Sequence, residues 1–594
     1  MLIASFLLTR LCLAQHQTLW TDELWSLSIA TGHSLHCALK GVPPNPELGD
    51  YVDPLGLVRA AYYQQYLAFD ERSKLPEGIV RACLRGDWNS PLYYLFLWLW
   101  LKLVGISDLS VRVPSILISL AALPFMWSIA RRLGNEVAAV LSSLLFTLAP
   151  ICLYYSTEAR VYACTIFLAA AFLWLTLELV QRSGRASLFY IVAWIVVGAL
   201  GFSSTVLFIS AFLPCLLWLI LHRRDIVVWR WLIVGFISSI PFLLNITIPL
   251  FFVRDTEPGY VTGATPMWLA PSRPISHLLA FFYGPGIQTL ESYCIYGIVV
   301  AMVSLPLVPV ALPVFKKHQA NFYLVNIVFV SFFLSGAVEL LLASLDLPSQ
   351  IRTLGFFVAL LLAFIGVSIA WRFAKKRNFE LSENFDSRLQ LLYLITISGV
   401  ILPTIFDLMG THAGITHRYA LVCLPAVFTL TAIALSKCGW HGRTFFTIVA
   451  VIAWIPSYVQ FAFSESMMQE YYREIAQVLT RASKDDLIII DGPYSLAMVG
   501  VARYLPADQT LLARCDQKKR SPEDLLSALP AIQGKSGVYL VRLHRANEAA
   551  DALEEWLSLK GKVERTYYLH EKPANPWTYN QKVLYFRPVG GGVF

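Results

Sequence analysis

Two adjacent carboxylates, Asp22 and Glu23, stand in the stretch Trp20-Thr21-Asp22-Glu23-Leu24-Trp25-Ser26-Leu27, directly after the first apolar segment. Neighbouring acids repel one another, and each loses solvation where a membrane helix emerges into the interface. The plain reading is a solvated loop that ends a helix, with Trp20 and Trp25 anchored at headgroup level. The other reading gives the pair a chemical task, because further charges recur down the chain. Glu158 and Arg160 close the run Tyr154-Tyr155-Ser156-Thr157-Glu158-Ala159-Arg160, and His417-Arg418-Tyr419 precedes an apolar span. Carboxylates accept protons, and guanidinium groups bind oxyanions through paired N–H donors.

The elements that carry these residues decide whether they share a face. A chain of 594 residues that is 57% hydrophobic, 14% charged and has a mean hydropathy of +0.58 is a polytopic membrane protein. The net charge of +8 lies in short basic clusters between apolar runs, a topology signal that does not suit nucleic-acid binding. The ten cysteines form no CxxC pair, which excludes the usual zinc and redox motifs; Cys37 and Cys83 share one outer loop, and spacing alone leaves their pairing open. Residues 1–14 read as an uncleaved first span. It is short and carries Arg10, so the natural chain is expected to begin a few residues earlier.

The segment from Pro91 to Gly105 settles the orientation. It is about fifteen residues long against the ~20 needed to cross, and it is aromatic-rich like interfacial segments. If it spanned, Arg131-Arg132, Lys316-Lys317 and Lys375-Lys376-Arg377 would all face outward, against the positive-inside rule. Placed in the interface, it lets Leu109–Ala130 run inward and Val137–Leu153 run back out. The later basic clusters then all fall inside. The remaining spans are expected at 161–180, 187–201, 204–221, 229–252, 292–315, 321–343, 352–372, 389–409, 419–436 and 444–463. The expected fold class is a mainly α, polytopic membrane protein of about thirteen transmembrane helices. Asp22-Glu23, Asn89-Ser90, Glu158 to Arg160, the loop 253–290 and His417 to Tyr419 then reach one outer face, as an enzyme acting on a lipid headgroup requires.

The composition changes at Ser464. Strand-like runs Leu487–Asp491, Gly537–Arg542, 563–569 and 582–587 alternate with helix-like 471–481, 521–530 and 546–559, predicting a small C-terminal α/β extracytoplasmic domain. The domain division is therefore 1–463, with a first outer loop at 20–108 holding interfacial helices, and 464–594.

Five stretches in order resemble the membrane glycosyltransferases of the GT-C superfamily. They are Leu19 to Glu23, Asn89-Ser90-Pro91-Leu92-Tyr93-Tyr94, Asp108-Leu109-Ser110-Val111-Arg112-Val113-Pro114-Ser115, Tyr154 to Ala163, and His417-Arg418-Tyr419. The likeness covers about residues 1–465. It is nearest to the branch related to protein O-mannosyltransferases, aminoarabinose transferases of lipid A and RgtA/B/C/D-like sugar transferases. Many relatives have His-Pro where this chain has Asn89-Ser90, and the stretch 41–80 is longer than usual.

The resemblance implies an enzyme, a hexosyl- or pentosyltransferase that moves a sugar from a polyprenyl-phosphate donor to an extracytoplasmic lipid, glycan or protein. It implies location in the plasma (inner) membrane, with the active site and C-terminal domain on the extracytoplasmic face. Carried over from the family's acid pair, Asp22 is the general base and Glu23 orients it or the acceptor. Glu158 takes the place of the second outer-loop acid and positions acceptor or sugar. Arg160 and Arg418 are the donor-phosphate clamp, with snorkelling anchors as the competing reading. No cofactor is required, and no metal-binding residues are assigned. Divalent-cation dependence stays open, because relatives of both kinds exist and Asp22-Glu23 is not a spaced Asp-x-Asp. The expected partners are the lipid-linked donor, the outer acceptor and membrane lipid, with no nucleic acid.

Other candidates carry less. His412 and His417 are ordinary loop histidines unless a ligand claims them. His33-Ser34-Leu35-His36-Cys37 has a spacing that a metal can use on a helix, and it is left out of the assigned site. Glu339 sits in an apolar span as a hydrogen-bonding partner or part of a lipid cavity. Tyr93-Tyr94 and Tyr154-Tyr155 read as interfacial belt residues. The alternative function is a transporter or flippase of lipid-linked sugars, for which inverted repeats, Gly/Pro-broken spans and paired midplane charges are expected; the sequence has prolines within spans at Pro124, Pro241 and Pro306 but no paired midplane charges.

Overall fold

The computed structural model of the chain describes residues 2–35, 44–52, 54, 56–85, 90–181, 185–223, 227–252, 387–408, 417–463, 471–492, 495–515, 529–543, 548–568, 582–589 and 594. The expected spans 292–315, 321–343 and 352–372 lie outside the described residues, as do the loop 253–290, Asn89, Glu339, His412, His36 and Cys37.

Helices dominate, as a lipid-embedded backbone requires when it must satisfy its own hydrogen bonds. Among the described residues, Asp108–Leu133, Tyr162–Gln181 and Arg418–Lys437 are long and apolar enough to cross a membrane. The pair Glu136–Leu148 and Pro150–Thr157, bent by 57°, makes a fourth such span if taken together. The expected count of about thirteen is therefore not reached among the described residues. Within the expected span Val137–Leu153 the helix stops at Leu148 and restarts at Pro150. Proline offers no N–H to the preceding turn and drives the residue before it out of helical geometry, and Ala149 is extended at φ −60°, ψ 131°.

The described residues divide into two compact units. One gathers those of Met1–Arg10, Ser115–Ile246 and Pro258–Gln460. Its interior is a dense aromatic and aliphatic packing, with Phe172, Trp194, Phe202, Phe208 and Phe212 in mutual ring contact. Its outside is apolar too. Leu188, Phe189, Val192 and Val196 are exposed along Arg185–Phe202, and Trp229, Leu232, Ile233, Phe236, Ile237 and Ile240 are exposed along Val228–Phe252. Contiguous apolar stripes of this extent suit hydrocarbon and not water. The protein is an integral membrane protein.

The other unit gathers the described residues of Leu11–Pro114, Thr247–Glu257 and Phe461–Phe594, so the described residues of 20–108 and the tail belong to one body. Its centre is a six-stranded sheet ordered β1-β3-β2-β4-β6-β5, with β1 Leu57–Arg59, β2 Asp486–Gly492, β3 Thr510–Cys515, β4 Gly537–Arg542, β5 Gly561–Tyr568 and β6 Lys582–Pro588. The β3-β2-β4 core is parallel, and β1, β5 and β6 add antiparallel edges. Parallel strands are covered on both faces, which explains the unbroken run Leu487-Ile488-Ile489-Ile490 in β2. Leu487 and Ile489 join Val538, Leu540, Leu584, Phe586 and helix residues Leu553 and Leu557 in one core. The edge strand β1 comes from the first outer loop, and its pairing continues as Ala60 N–H donates to Gln509 O at 2.8 Å. Gln64 Nε2 donates to the carbonyls of Ala502 and Leu505, each at 2.8 Å, closing the end of helix Ser495–Arg503.

Candidate active site

The acid pair opens helix Thr21–Ala30, with Trp20 at its cap in extended conformation. Glu23 reaches back so that the Trp20 N–H donates to its Oε2 at 3.3 Å, the acidic arm of a capping box. Its main commitment is to Arg112. The Nε donates to Glu23 Oε1 at 2.7 Å, and Nη2 donates to Glu23 Oε2. The remaining guanidinium donors go to the carbonyls of Ala14 at 3.0 Å, Gln17 at 2.7 Å and Thr18 at 2.7 Å. Every N–H of Arg112 thus has an acceptor, and both side chains are almost fully buried, at 2% and 1% exposure. A buried charge pair is tolerable only with such complete satisfaction. Asp22, one residue earlier, is half-buried, and its backbone carbonyl accepts from Ser26 Oγ at 3.1 Å.

Arg112 was not among the residues singled out for chemistry, although it lies inside the motif Asp108 to Ser115. The signal was present: a charge within an apolar span needs a partner, and Asp108 and Arg112, four apart, share a helix face. The helix itself starts on reciprocal serines. Ser107 N–H donates to Ser110 Oγ at 2.7 Å, and Ser110 N–H donates to Ser107 Oγ at 3.0 Å.

Glu158, Arg160 and Arg418 lie in the other compact unit. Helix Pro150–Thr157 ends where Glu158 turns extended at φ −79°, ψ 128°, its N–H still bonded to Tyr154 O at 3.0 Å. The Arg160 N–H donates to Glu158 O at 2.8 Å, which tightens the elbow before helix Tyr162–Gln181 begins. Both side chains are buried, at 4% for Glu158 and 5% for Arg160. Arg418 is half-buried at the start of the short 3-10 segment His417–Cys423, with its guanidinium carbon 5.2 Å from the centre of the Tyr419 ring. That segment packs on Tyr162–Gln181, the helix that Arg160 leads into. The break at Pro150 and the packing of His417–Cys423 therefore bring two arginine-bearing corners to one helix.

One expectation changes. Tyr93, Tyr94, Tyr154 and Tyr155 do not stand in an exposed belt. They are buried, with each neighbouring pair edge-to-face at 5.7 Å and 4.8 Å between ring centres. His33 is fully buried, with Nδ1 3.1 Å from Gly49 O and Nε2 3.0 Å from Ala68 O. Gly49 allows this approach, since it sits at φ +85° and a Cβ there would lie 2.6 Å from His33 Nδ1. Among the described residues no three His, Cys, Asp or Glu side chains converge on a metal-sized space.

Residues 89–247 match the family described as dolichyl-phosphate-mannose-protein mannosyltransferase. Over those residues the match bears out the resemblance to GT-C membrane glycosyltransferases seen in the motifs. No curated protein matches it. Among solved structures it is similar to ArnT from Cupriavidus metallidurans bound to undecaprenyl phosphate, at 13% identity and TM-score 0.33, covering 95% of this chain and 96% of that one. It is also similar to the Archaeoglobus fulgidus oligosaccharyltransferase in complex with Zn and sulfate, at 11% identity and TM-score 0.30, covering 77% and 60%.

Proposed function

We propose that the protein transfers a sugar from a polyprenyl-phosphate donor to an acceptor hydroxyl on the extracytoplasmic face of the plasma (inner) membrane. In the reaction, the Asp22 carboxylate takes the proton of the acceptor O–H. The acceptor oxygen forms a bond to the anomeric carbon while the bond from that carbon to the phosphate oxygen breaks. The electron pair leaves with the polyprenyl phosphate, whose oxygens are held by Arg160 and Arg418. Glu158 positions the sugar or acceptor. Preorganised cations aimed at the departing phosphate lower the barrier because they are already in place when charge develops.

The observation that carries the division of roles is the Glu23–Arg112 pair. It neutralises the second acid and fixes it, while Asp22, one residue away, is half-buried at the start of the helix. The guanidinium removes the repulsion that two neighbouring carboxylates otherwise exert on each other. Glu23 and Arg112 then serve to set the helix start from which Asp22 projects.

The test uses the purified full chain in liposomes, with radiolabelled polyprenyl-phosphate mannose and a pentose analogue as donors and envelope membranes as acceptor. Label appearing in acceptor material supports the reading. Donor that crosses the bilayer without transfer would instead make the protein a flippase. Omitting and restoring divalent cations in the same assay decides metal dependence.

A further inference from the structure

The carboxylate of Asp108 gathers a cluster outside the reacting groups. Arg503 donates to it through Nε at 3.1 Å and Nη2 at 2.8 Å, Arg473 through Nη2 at 2.8 Å, and Tyr504 through its hydroxyl at 2.8 Å. Arg473, Arg503 and Tyr504 all belong to the polar tail, hundreds of residues away in sequence. The Tyr504 oxygen also accepts the backbone N–H of Leu19 at 3.1 Å. A second tail tyrosine, Tyr472, shares a hydrogen bond of 2.8 Å with Thr21 Oγ1. Its ring packs against helix Ser495–Arg503 where Gly500 has no side chain; a Cβ there would meet the ring at 2.6 Å.

Leu19 and Thr21 lie three residues and one residue ahead of Asp22. The tail therefore grips the first turn of the acid-bearing helix through hydroxyls that converge on neighbouring residues. From the other side, Arg112 holds the carbonyls of Gln17 and Thr18. Asp108 ties the two grips together, since it accepts from Tyr504 and lies one turn from Arg112 on the same helix. Such a cluster makes sense if the position of one side chain in that turn matters to a fraction of an ångström.

We propose that Tyr504 and Tyr472, with Asp108 and Arg503 behind them, are positioning residues for Asp22, and that the tail domain acts in the reaction by fixing this turn. The inference rests on the reading of Asp22 as the base. Removing a grip lets the carboxylate wander from the line of proton transfer, and displacements near 1 Å cost up to about a hundredfold in rate. Donor binding does not depend on this turn in the mechanism above, so the effect falls on kcat and leaves the donor KM unchanged.

The experiment compares wild type, Tyr504→Phe, Tyr472→Phe and the double tyrosine variant, each with and without Asp22→Asn, in the full chain with polyprenyl-phosphate mannose. Substituting Phe keeps the rings and removes only the hydroxyls, and Arg503→Lys with Arg503→Ala provides a second series in which Lys is expected to retain part of the rate. The double tyrosine variant is expected to transfer roughly ten- to a hundredfold more slowly at unchanged donor KM. In the Asp22→Asn background the same tyrosine changes are expected to slow the residual rate no further. Hydrogen exchange of residues 17–24 is expected to quicken in the tyrosine variants, a readout that needs no substrate. Unchanged kcat, unchanged exchange, or a rate loss that multiplies in the Asp22→Asn background would overturn the positioning role while leaving the base intact. A wild-type rate for Asp22→Asn alone would overturn the base, and the positioning inference with it.

Discussion

Glu23 and Asp22 are neighbours in sequence and opposites in circumstance. Glu23 is sealed against Arg112, whereas Asp22 keeps part of its surface exposed. Glu23→Gln leaves a cation buried without its counter-charge, and breaking one partner of such a pair costs about 3–5 kcal/mol. The expected outcome is a large drop in the thermal unfolding midpoint in detergent, and Glu23→Gln with Arg112→Met together is expected to be milder than Glu23→Gln alone. Equal midpoints for wild type and Glu23→Gln would mean that the pair does not anchor the helix start. For Arg418 the prediction concerns geometry. Arg418→Lys replaces a planar two-pronged donor with a point charge, so transfer should fall and the apparent donor KM should rise with folding intact. Unchanged donor kinetics in Arg418→Lys and Arg418→Ala would reduce this residue to a membrane anchor. The acid pair was legible in the sequence as a candidate, but its internal division was not. Nothing local distinguishes Asp22 from Glu23; the distinction comes from an arginine about ninety residues later, with Glu23 and Arg112 separated by 89 positions.

Among the elements, the break at Pro150 matters most to the outer-loop charges. It ends one helix and starts a second at an angle of 57°, and the second delivers Glu158 and Arg160 to their elbow. Pro150→Ala restores the missing donor and relaxes Ala149, so the bend should decrease and the elbow should move. Transfer is expected to drop by at least about tenfold with little loss of folded protein; wild-type activity would show that the bend has no part in placing these charges. The strands β2, β4, β5 and β6 and helix Glu548–Lys560 could be read from runs of apolar and β-branched residues. Strand β3 and helix Ser495–Arg503 were missed. Thr510–Cys515 carries only a short apolar core, and Gly500 lowers the helix signal of a segment whose glycine is there to admit Tyr472. Strand β1 has three residues and no periodicity, so only its long-range pairing with β3 defines it.

For the whole molecule, the topology and the shared face are the claims that join residues far apart in sequence. Helix Leu92–Val104 has 13 residues, which at ~1.5 Å per residue gives about 20 Å against a hydrocarbon core near 30 Å. It is expected to lie in the outer interface. A single cysteine at Ser107, which is exposed, should react with an impermeant reagent from outside, and cysteines beside Arg131 only after permeabilisation. The reverse pattern would contradict the expected topology. The membrane character was legible from composition, because apolar content and basic-cluster spacing are summed over the whole chain. The union of the first outer loop with the tail in one compact unit was not, since it depends on a sheet edge and on hydroxyl contacts that leave no periodic trace.

Sugar transfer by the Asp22→Asn variant, measured beside wild type at equal expression and equal thermal stability, tests the central claim most directly. Asparagine keeps the size and most hydrogen bonding of the carboxylate but cannot accept the acceptor proton. Transfer from polyprenyl-phosphate mannose is predicted to fall by about 10²–10⁴ while donor binding survives. Transfer at the wild-type rate would contradict the account.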